Sequence, residues 1–296
     1  MLLKVSNPAS DTSAAEFLTA QNAVMRHLSE RGLPVNVPIP TVAGGEIASL
    51  SVEGGMRAAR LLTFLPGGLL QHAPRSAALF TRLGLFLARV DLELSTFEHP
   101  ALRRTHTWSL SALPKSFAAA RPQLGSLPRE RLALLEGVVG VFESRLAGVS
   151  APLRGQVIHT DCNEQNVLTG PDGSIAGLID WGDACVDVLV SEVAIAMAYA
   201  ALLEEDDPFA AAGPLLRGYE SALPLREEER GLLRVLCMGR LAQSLSLGWA
   251  AAAARPENGD YLLGTQRRGW QVLQAFWRLT DADFLERCAS SAGPET

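Results

Sequence analysis

Two short blocks constrain this chain more than anything else in it: Val157-Ile-His-Thr-Asp-Cys-Asn-Glu-Gln-Asn-Val-Leu, and then Gly177-Leu-Ile-Asp-Trp-Gly-Asp. Together they read H-x-D-x-x-x-x-N followed, fourteen residues after Asn166, by Asp180 at the end of an apolar run. Apolar runs this short, bounded by Gly and polar turn residues, read as strands. Strands are therefore expected at 156–158, 167–168 and 175–179, with the polar residues on the tight loops between them. Asp161 and Asn166 then share one loop, and Asp180 faces them from a strand end. Three oxygen donors converge on one place.

Each residue alone has an ordinary explanation. An Asp at a strand end is usually a turn or cap residue, and a buried His such as His159 usually hydrogen-bonds the core; His159 is expected here to pin the loop's backbone. The joint spacing of Asp161, Asn166 and Asp180 is what an isolated cap does not explain. Phosphoryl transfer needs a group to orient the attacking hydroxyl and metal ions to neutralise phosphate charge. Oxygen donors of this kind suit Mg²⁺, which completes its shell with water and nucleotide oxygens.

The rest of the chain supplies the frame. A helix is expected up to about residue 31, with N-cap candidates Asp11, Thr12 and Ser13 and a stop at Gly32 and Pro34. Extended runs at 37–42, 47–52 and 57–65 are separated by Gly44-Gly45 and Gly54-Gly55, as hairpins require. From about Pro74 the apolar spacing turns helical, clearest at 77–94 and 129–146, and it returns to helix beyond Leu189. The expected class is α+β and bilobal: a strand-rich lobe at 1–66 and a larger helical lobe at 67–296, with residues 290–296 as the disordered end. The stretch 193–203 is too short to cross a bilayer and reads as a buried helix. A formal net charge of −6, without a basic cluster, argues against nucleic acid as partner. The four cysteines show no metal-ligand spacing and read as reduced thiols of a cytoplasmic protein.

The segment from His159 to Asn166, with Ile179-Asp-Trp-Gly-Asp183, resembles the aminoglycoside phosphotransferase and choline kinase superfamily, which has a protein-kinase-like fold. Leu2-Leu-Lys-Val-Ser-Asn, Gln21-Asn-Ala-Val-Met, Arg60-Leu-Leu-Thr-Phe-Leu-Pro-Gly, Arg240-Leu-Ala-Gln-Ser and the stretch 257–263 are most similar to its hydroxylysine kinase branch. The resemblance implies an ATP- and Mg²⁺-dependent kinase acting on a hydroxyl. Asp161 would accept or orient the hydroxyl proton, and Asn166 and Asp180 would hold Mg²⁺. Lys4 would reach the α- and β-phosphates, and Thr63 to Leu65 would form the hinge that meets adenine. Read alone, Lys4 is an ordinary terminal lysine. The chain departs from the pattern in three ways. It opens at the lysine strand without the Gly-rich hairpin that precedes it in kinase-like folds, for which a start further upstream is the expected reason. Gln21 stands where a Glu should pair with the lysine. Thr160 replaces a Gly common after the His.

A protein acceptor is not expected: Asn163 stands where protein kinases carry a Lys, and no room remains for an activation segment before the helix at 189. For a small acceptor, Asp183, Asp187 and Glu192 would suit an ammonium group, although acids at 187 and 192 equally fit a helix N-terminus. Arg240 and Ser244, one turn apart, would meet a substrate carboxylate, or else make a structural contact. The acceptor class is therefore an amino alcohol or hydroxylated amino acid, with 5-hydroxylysine first by resemblance. The alternative is a non-catalytic binding protein on the same scaffold.

Overall fold

The computed structural model describes residues 1–6, 13–52, 55–254 and 266–291. The candidate cap residues Asp11 and Thr12, Gly54 of the second Gly pair and the stretch 257–263 lie outside the described residues. The chain starts with β1 (Leu2–Val5), helix α1 (Ser13–Glu30), a two-residue strand β2 (Pro38–Ile39), and the paired strands β3 (Ala48–Val52) and β4 (Gly55–Leu62). β4 is the centre of this antiparallel sheet, with β1 on one side and β2 and β3 on the other. The register sets Lys4 opposite Arg60, so both side chains leave the same face. Helix α1 buries Ala20, Val24 and Leu28, one turn apart, in the core. The expected strand at 37–42 shrinks to two residues because Pro38 and Pro40 lack the N–H a ladder needs.

A short β5 (Gly68–Leu69) leads to α2 (Ala77–Leu94), capped by Ser76, whose hydroxyl accepts from the Leu79 N–H at 3.1 Å. Then follow α3 (Leu113–Ala120), α4 (Arg129–Ala147), strands β6 (Gly155–Ile158), β7 (Val167–Thr169), β8 (Ile175–Leu178) and β9 (Cys185–Val188), and helices α5 (Val190–Leu203), α6 (Phe209–Glu220), the single turn α7 (Glu227–Arg230), α8 (Leu233–Ala254), α9 (Gln266–Trp277) and α10 (Asp281–Ser290). The bilobal α+β expectation holds. α5 is apolar all round and buried through most of its length, as a helix at the centre of a bundle must be.

Two small sheets place the key loops. β7 and β8 form a hairpin that β5 extends, and β6 pairs with β9. The β8 end also meets the first part of the chain: Leu178 N–H donates to Pro34 O at 3.1 Å, and a Cβ on Gly177 would lie 2.7 Å from Leu65 Cδ1. α2 and α6 cross at two glycines, Gly84 and Gly218, where each backbone sits directly on the other. Among the described residues no helix is long and apolar enough to cross a membrane.

Candidate active site

The loop from β6 to β7 is built around Asp161. Its own geometry comes from Asn163: the side-chain oxygen accepts the N–H groups of Gln165 (2.8 Å) and Asn166 (3.1 Å), and the Asn163 N–H donates to Asp161 O at 2.8 Å. This is local turn chemistry that Asn supplies and Lys does not. Asp161 Oδ2 accepts from Asn163 Nδ2 at 3.0 Å and Asn166 Nδ2 at 2.8 Å, and Oδ1 accepts from Arg240 Nη2 at 2.8 Å. Burial lifts the Asp161 carboxyl above its usual range, against the pull of Arg240 and Asn163. Burial likewise opposes the charge on Arg240, but Tyr199 and Asp161 outweigh it and hold that guanidinium protonated. Both Asn166 amide hydrogens point toward Asp161, to its backbone O at 2.9 Å and its carboxylate. Asn166 therefore turns its amide oxygen the other way.

His159 sits beneath the loop, wholly buried. Its Nε2–H donates to Ile179 O at 3.0 Å, its Nδ1 accepts the Asp161 N–H at 3.2 Å, and its ring meets Trp181 edge-on at 4.7 Å. Burial lowers its pKa to about 4, so it stays neutral while tying the two motif loops together. It pins the backbone, as the sequence suggested.

Thr160 and Asp180 are the two non-glycine residues with left-handed φ among those described, 67° and 61°. For a β-branched residue this is strained. It explains why a Gly is at home after the His. Thr160 is held there from two sides: its N–H donates to Glu192 Oε2 at 2.8 Å and its Oγ1 to Asp183 O at 2.9 Å. Thr160→Gly removes strain of about 1–2 kcal/mol and loses a hydrogen bond worth about 1 kcal/mol. Its stability by urea unfolding is expected to stay within about 1 kcal/mol of the parent; a loss above about 3 kcal/mol would show that the strained geometry costs nothing.

Asp180 pairs with Lys4, Nζ to Oδ1 at 2.7 Å, across 176 residues of sequence. Burial works to raise its pKa, but the Lys4 hydrogen bond and charge win and hold it below the usual range. Lys4 thus takes its carboxylate from the β8 end, not from α1. Gln21 instead accepts from Arg60 and reaches Gly182 O with Nε2 at 3.4 Å, while Asn22 Oδ1 also accepts from Arg60, at 2.7 Å. Arg60 is nearly buried, and desolvation lowers its pKa to about 10. The carbonyls after Asp180 are further held by Arg104, whose Nη2 donates to Gly182 O at 3.0 Å, and by His106, whose Nε2 donates to Asp183 O at 2.8 Å.

The remaining sequence candidates fall into place as follows. Thr63 lies where the first sheet gives way to β5, but its N–H donates to Val37 O (2.9 Å) and its O accepts from Asn36 Nδ2 (2.7 Å), so its own backbone is occupied; Leu65 lies two residues on, against Gly177. Asp183 is half-exposed, with an oxygen 3.6 Å from His106 Nδ1. Asp187 is spent on Ser111, and Glu192 is wholly buried behind the loop rather than facing the cleft. Burial raises the Glu192 pKa to about 7, and its hydrogen bond to Thr160 opposes that rise. Arg240 is buried against Asp161, and Ser244 is half-buried on the same helix. Sequence reasoning gave no role to Arg104, His106, Trp108 and Tyr199, which lie outside every quoted motif, nor to Arg60 and Gln243, which stand inside quoted stretches but whose partners come from separate elements.

The model of the phosphotransferase enzyme family matches residues 1–232. The chain belongs to that family. A hydroxylysine kinase of Danio rerio is 30% identical over 303 residues, covering 98% of this chain and 84% of that one. A homoserine kinase of Gluconobacter oxydans is 33% identical over 226 residues, covering 73% of this chain and 65% of that one. Among solved structures, a microcompartment-associated aminopropanol kinase aligns with a TM-score of 0.73 at 15% identity over 93% of this chain and 85% of that one, which shows a shared fold. This phosphotransferase is a small-molecule kinase, and the resemblance carried by the 159–183 motifs is the one that the family comparison returns.

Proposed function

We propose that this phosphotransferase moves the γ-phosphoryl group of ATP, with Mg²⁺, to the hydroxyl of an amino alcohol or hydroxylated amino acid, with 5-hydroxylysine the first candidate. The observation that carries the reading is the set of oxygens around Asp161: a carboxylate held in one orientation by three donors, beside an Asn166 amide oxygen turned away from it and the Asp180 carboxylate. These donors fit Mg²⁺, which would be held by Asn166 and Asp180 and would neutralise phosphate charge. Asp161 accepts the acceptor's hydroxyl proton as the oxygen bonds to the γ-phosphorus and the bond to the β-phosphate oxygen breaks, releasing ADP. Its upward-shifted carboxyl is a better base than an exposed Asp. Lys4 meets the α- and β-phosphates, and the backbone of residues 64–65 meets adenine. Residues 1–66 form the nucleotide side and residues 67–296 the catalytic and acceptor side.

Two features support an amine-bearing acceptor. Hydroxylysine kinases are among the relatives that cover more than nine-tenths of this chain. On the acceptor side, Asp183 is half-exposed, and Glu164 has a buried Oε2 without a partner among the described residues. Four buried free thiols fit a reducing, cytoplasmic setting.

Magnesium-dependent ADP release is to be measured with 5-hydroxylysine, homoserine, ethanolamine, choline and an aminoglycoside. The expected result is acceptor-stimulated release with kcat/KM highest for 5-hydroxylysine. Stimulation by choline or the aminoglycoside alone would move the acceptor class, and silence with all five would remove the proposal.

A further inference from the structure

The Arg240 guanidinium has five N–H donors, and four of them are engaged. Nε donates to Tyr199 OH (3.0 Å), Nη1 to Trp108 O (2.9 Å) and Gln243 Oε1 (3.1 Å), and Nη2 to Asp161 Oδ1 (2.8 Å). The group is about 1% exposed, and it lies over the rings of Trp108 and Tyr199 at 5.1 and 5.3 Å. Gln243 is itself fixed, its Nε2 donating to Thr107 O (2.8 Å) and Ser109 O (3.1 Å). A two-pronged grip on a carboxylate needs two parallel N–H groups on one edge of the fork; Arg240 has one hydrogen left.

We infer that Arg240 is a positioning residue, which fixes the Asp161 carboxylate from the α8 side and is closed to any carboxylate of the acceptor. This rests on Asp161 being the catalytic carboxylate. The Oδ2 side of Asp161 is set by its own loop, through Asn163 and Asn166, whereas among the described residues Oδ1 is set by Arg240 alone. Without the guanidinium, the carboxylate is held through Oδ2 alone and can tilt about its Cβ–Cγ bond away from the orientation that proton acceptance requires. Recognition of the acceptor then falls to other groups on the cleft wall.

The test is steady-state kinetics of Arg240→Lys and Arg240→Met on 5-hydroxylysine, which carries a carboxylate, and on ethanolamine, which does not, with ADP affinity as the check on folding. The expected result is a fall in kcat of about 100-fold on every acceptor the parent turns over, with acceptor KM changed by less than about threefold. Arg240→Lys is expected to lose less than Arg240→Met, because it keeps the charge without the fork. A rise in KM confined to 5-hydroxylysine, at unchanged kcat, would overturn the inference, and so would unchanged kinetics in both variants. If neither variant binds ADP, Tyr199→Phe removes only the Nε partner and reads the same split on a smaller scale. A parent chain silent on all acceptors overturns the kinase reading itself, which the parent's own assay reveals before any variant is made.

Discussion

Asp161→Asn is expected to lower kcat by roughly 10³-fold, the scale of a lost general base, while ADP affinity changes by less than about threefold. The substitution keeps the shape and removes both the basicity and one acceptor. If the amide oxygen stays with Arg240, its NH₂ faces the Nδ2 donors of Asn163 and Asn166, so two donors meet where a carboxylate accepted. Lys4 and Asp180 pair with one another and not with Asp161, so of the residues proposed to hold the nucleotide and its metal Asn166 alone feels the change. Steady-state kinetics and calorimetric titration with ADP separate the two effects. A variant that keeps a tenth of its turnover would mean that Asp161 only orients the hydroxyl and that its proton leaves by another route.

Gly84→Ala is expected to have the largest effect on stability. A Cβ there would lie 1.9 Å from Leu215 O and 2.7 Å from Tyr219 N, both of them backbone atoms of α6. At Gly218 the mirror contact is with Thr81 O on α2, also at 1.9 Å. Neither atom can rotate away, so the helices must separate. That movement pulls on the hydrogen bond from Tyr219 OH to Asp91 Oδ2 (2.6 Å), which is the side-chain contact of a fully buried carboxylate. Ala gains about 1 kcal/mol of helix propensity over Gly, but overpacking a close crossing costs about 3 kcal/mol or more. The net loss, about 2 kcal/mol or more, is expected to lower Tm by roughly 3–6 °C. The double variant Gly84→Ala/Gly218→Ala should fall short of the sum, since one displacement relieves both clashes. A Tm within 2 °C of the parent would show that the crossing slides freely.

The 159–183 motifs were legible because their chemistry is local. Asn163 and Asn166 shape the loop around Asp161, and short apolar runs hold it from either side. The helices at 77–94 and 129–146 were legible by period alone, since they bury one stripe. What the sequence hid was set by distance along the chain. Lys4 finds Asp180 across 176 residues, and Arg240 finds Asp161 across 79. No spacing rule reaches that far. Glu192 looked like a cap or a substrate contact, because an acid at the start of a helix serves either role; only the fold shows that it accepts the strained Thr160 N–H from behind. β9 went unread for a similar reason: its burial alternates, but the buried positions are Cys185 and Asp187 and the half-buried ones are the two valines, and its pairing with β6 comes from the tertiary structure.

Arg240 stands on α8 with Gln243 and Ser244, and it is braced by Trp108 from the segment before α3. The Asp161 carboxylate is thus aligned by α8 and the segment before α3 and not by its loop alone. On the role proposed for Arg240, substitutions on α8 that accommodate a new acceptor reach turnover through one guanidinium. Drift there is penalised even when the new acceptor fits. The residues around Asp183 make no hydrogen bond to Oδ1 of Asp161 among the described residues. They are the cheaper ground on which a lineage of these kinases can change what it phosphorylates.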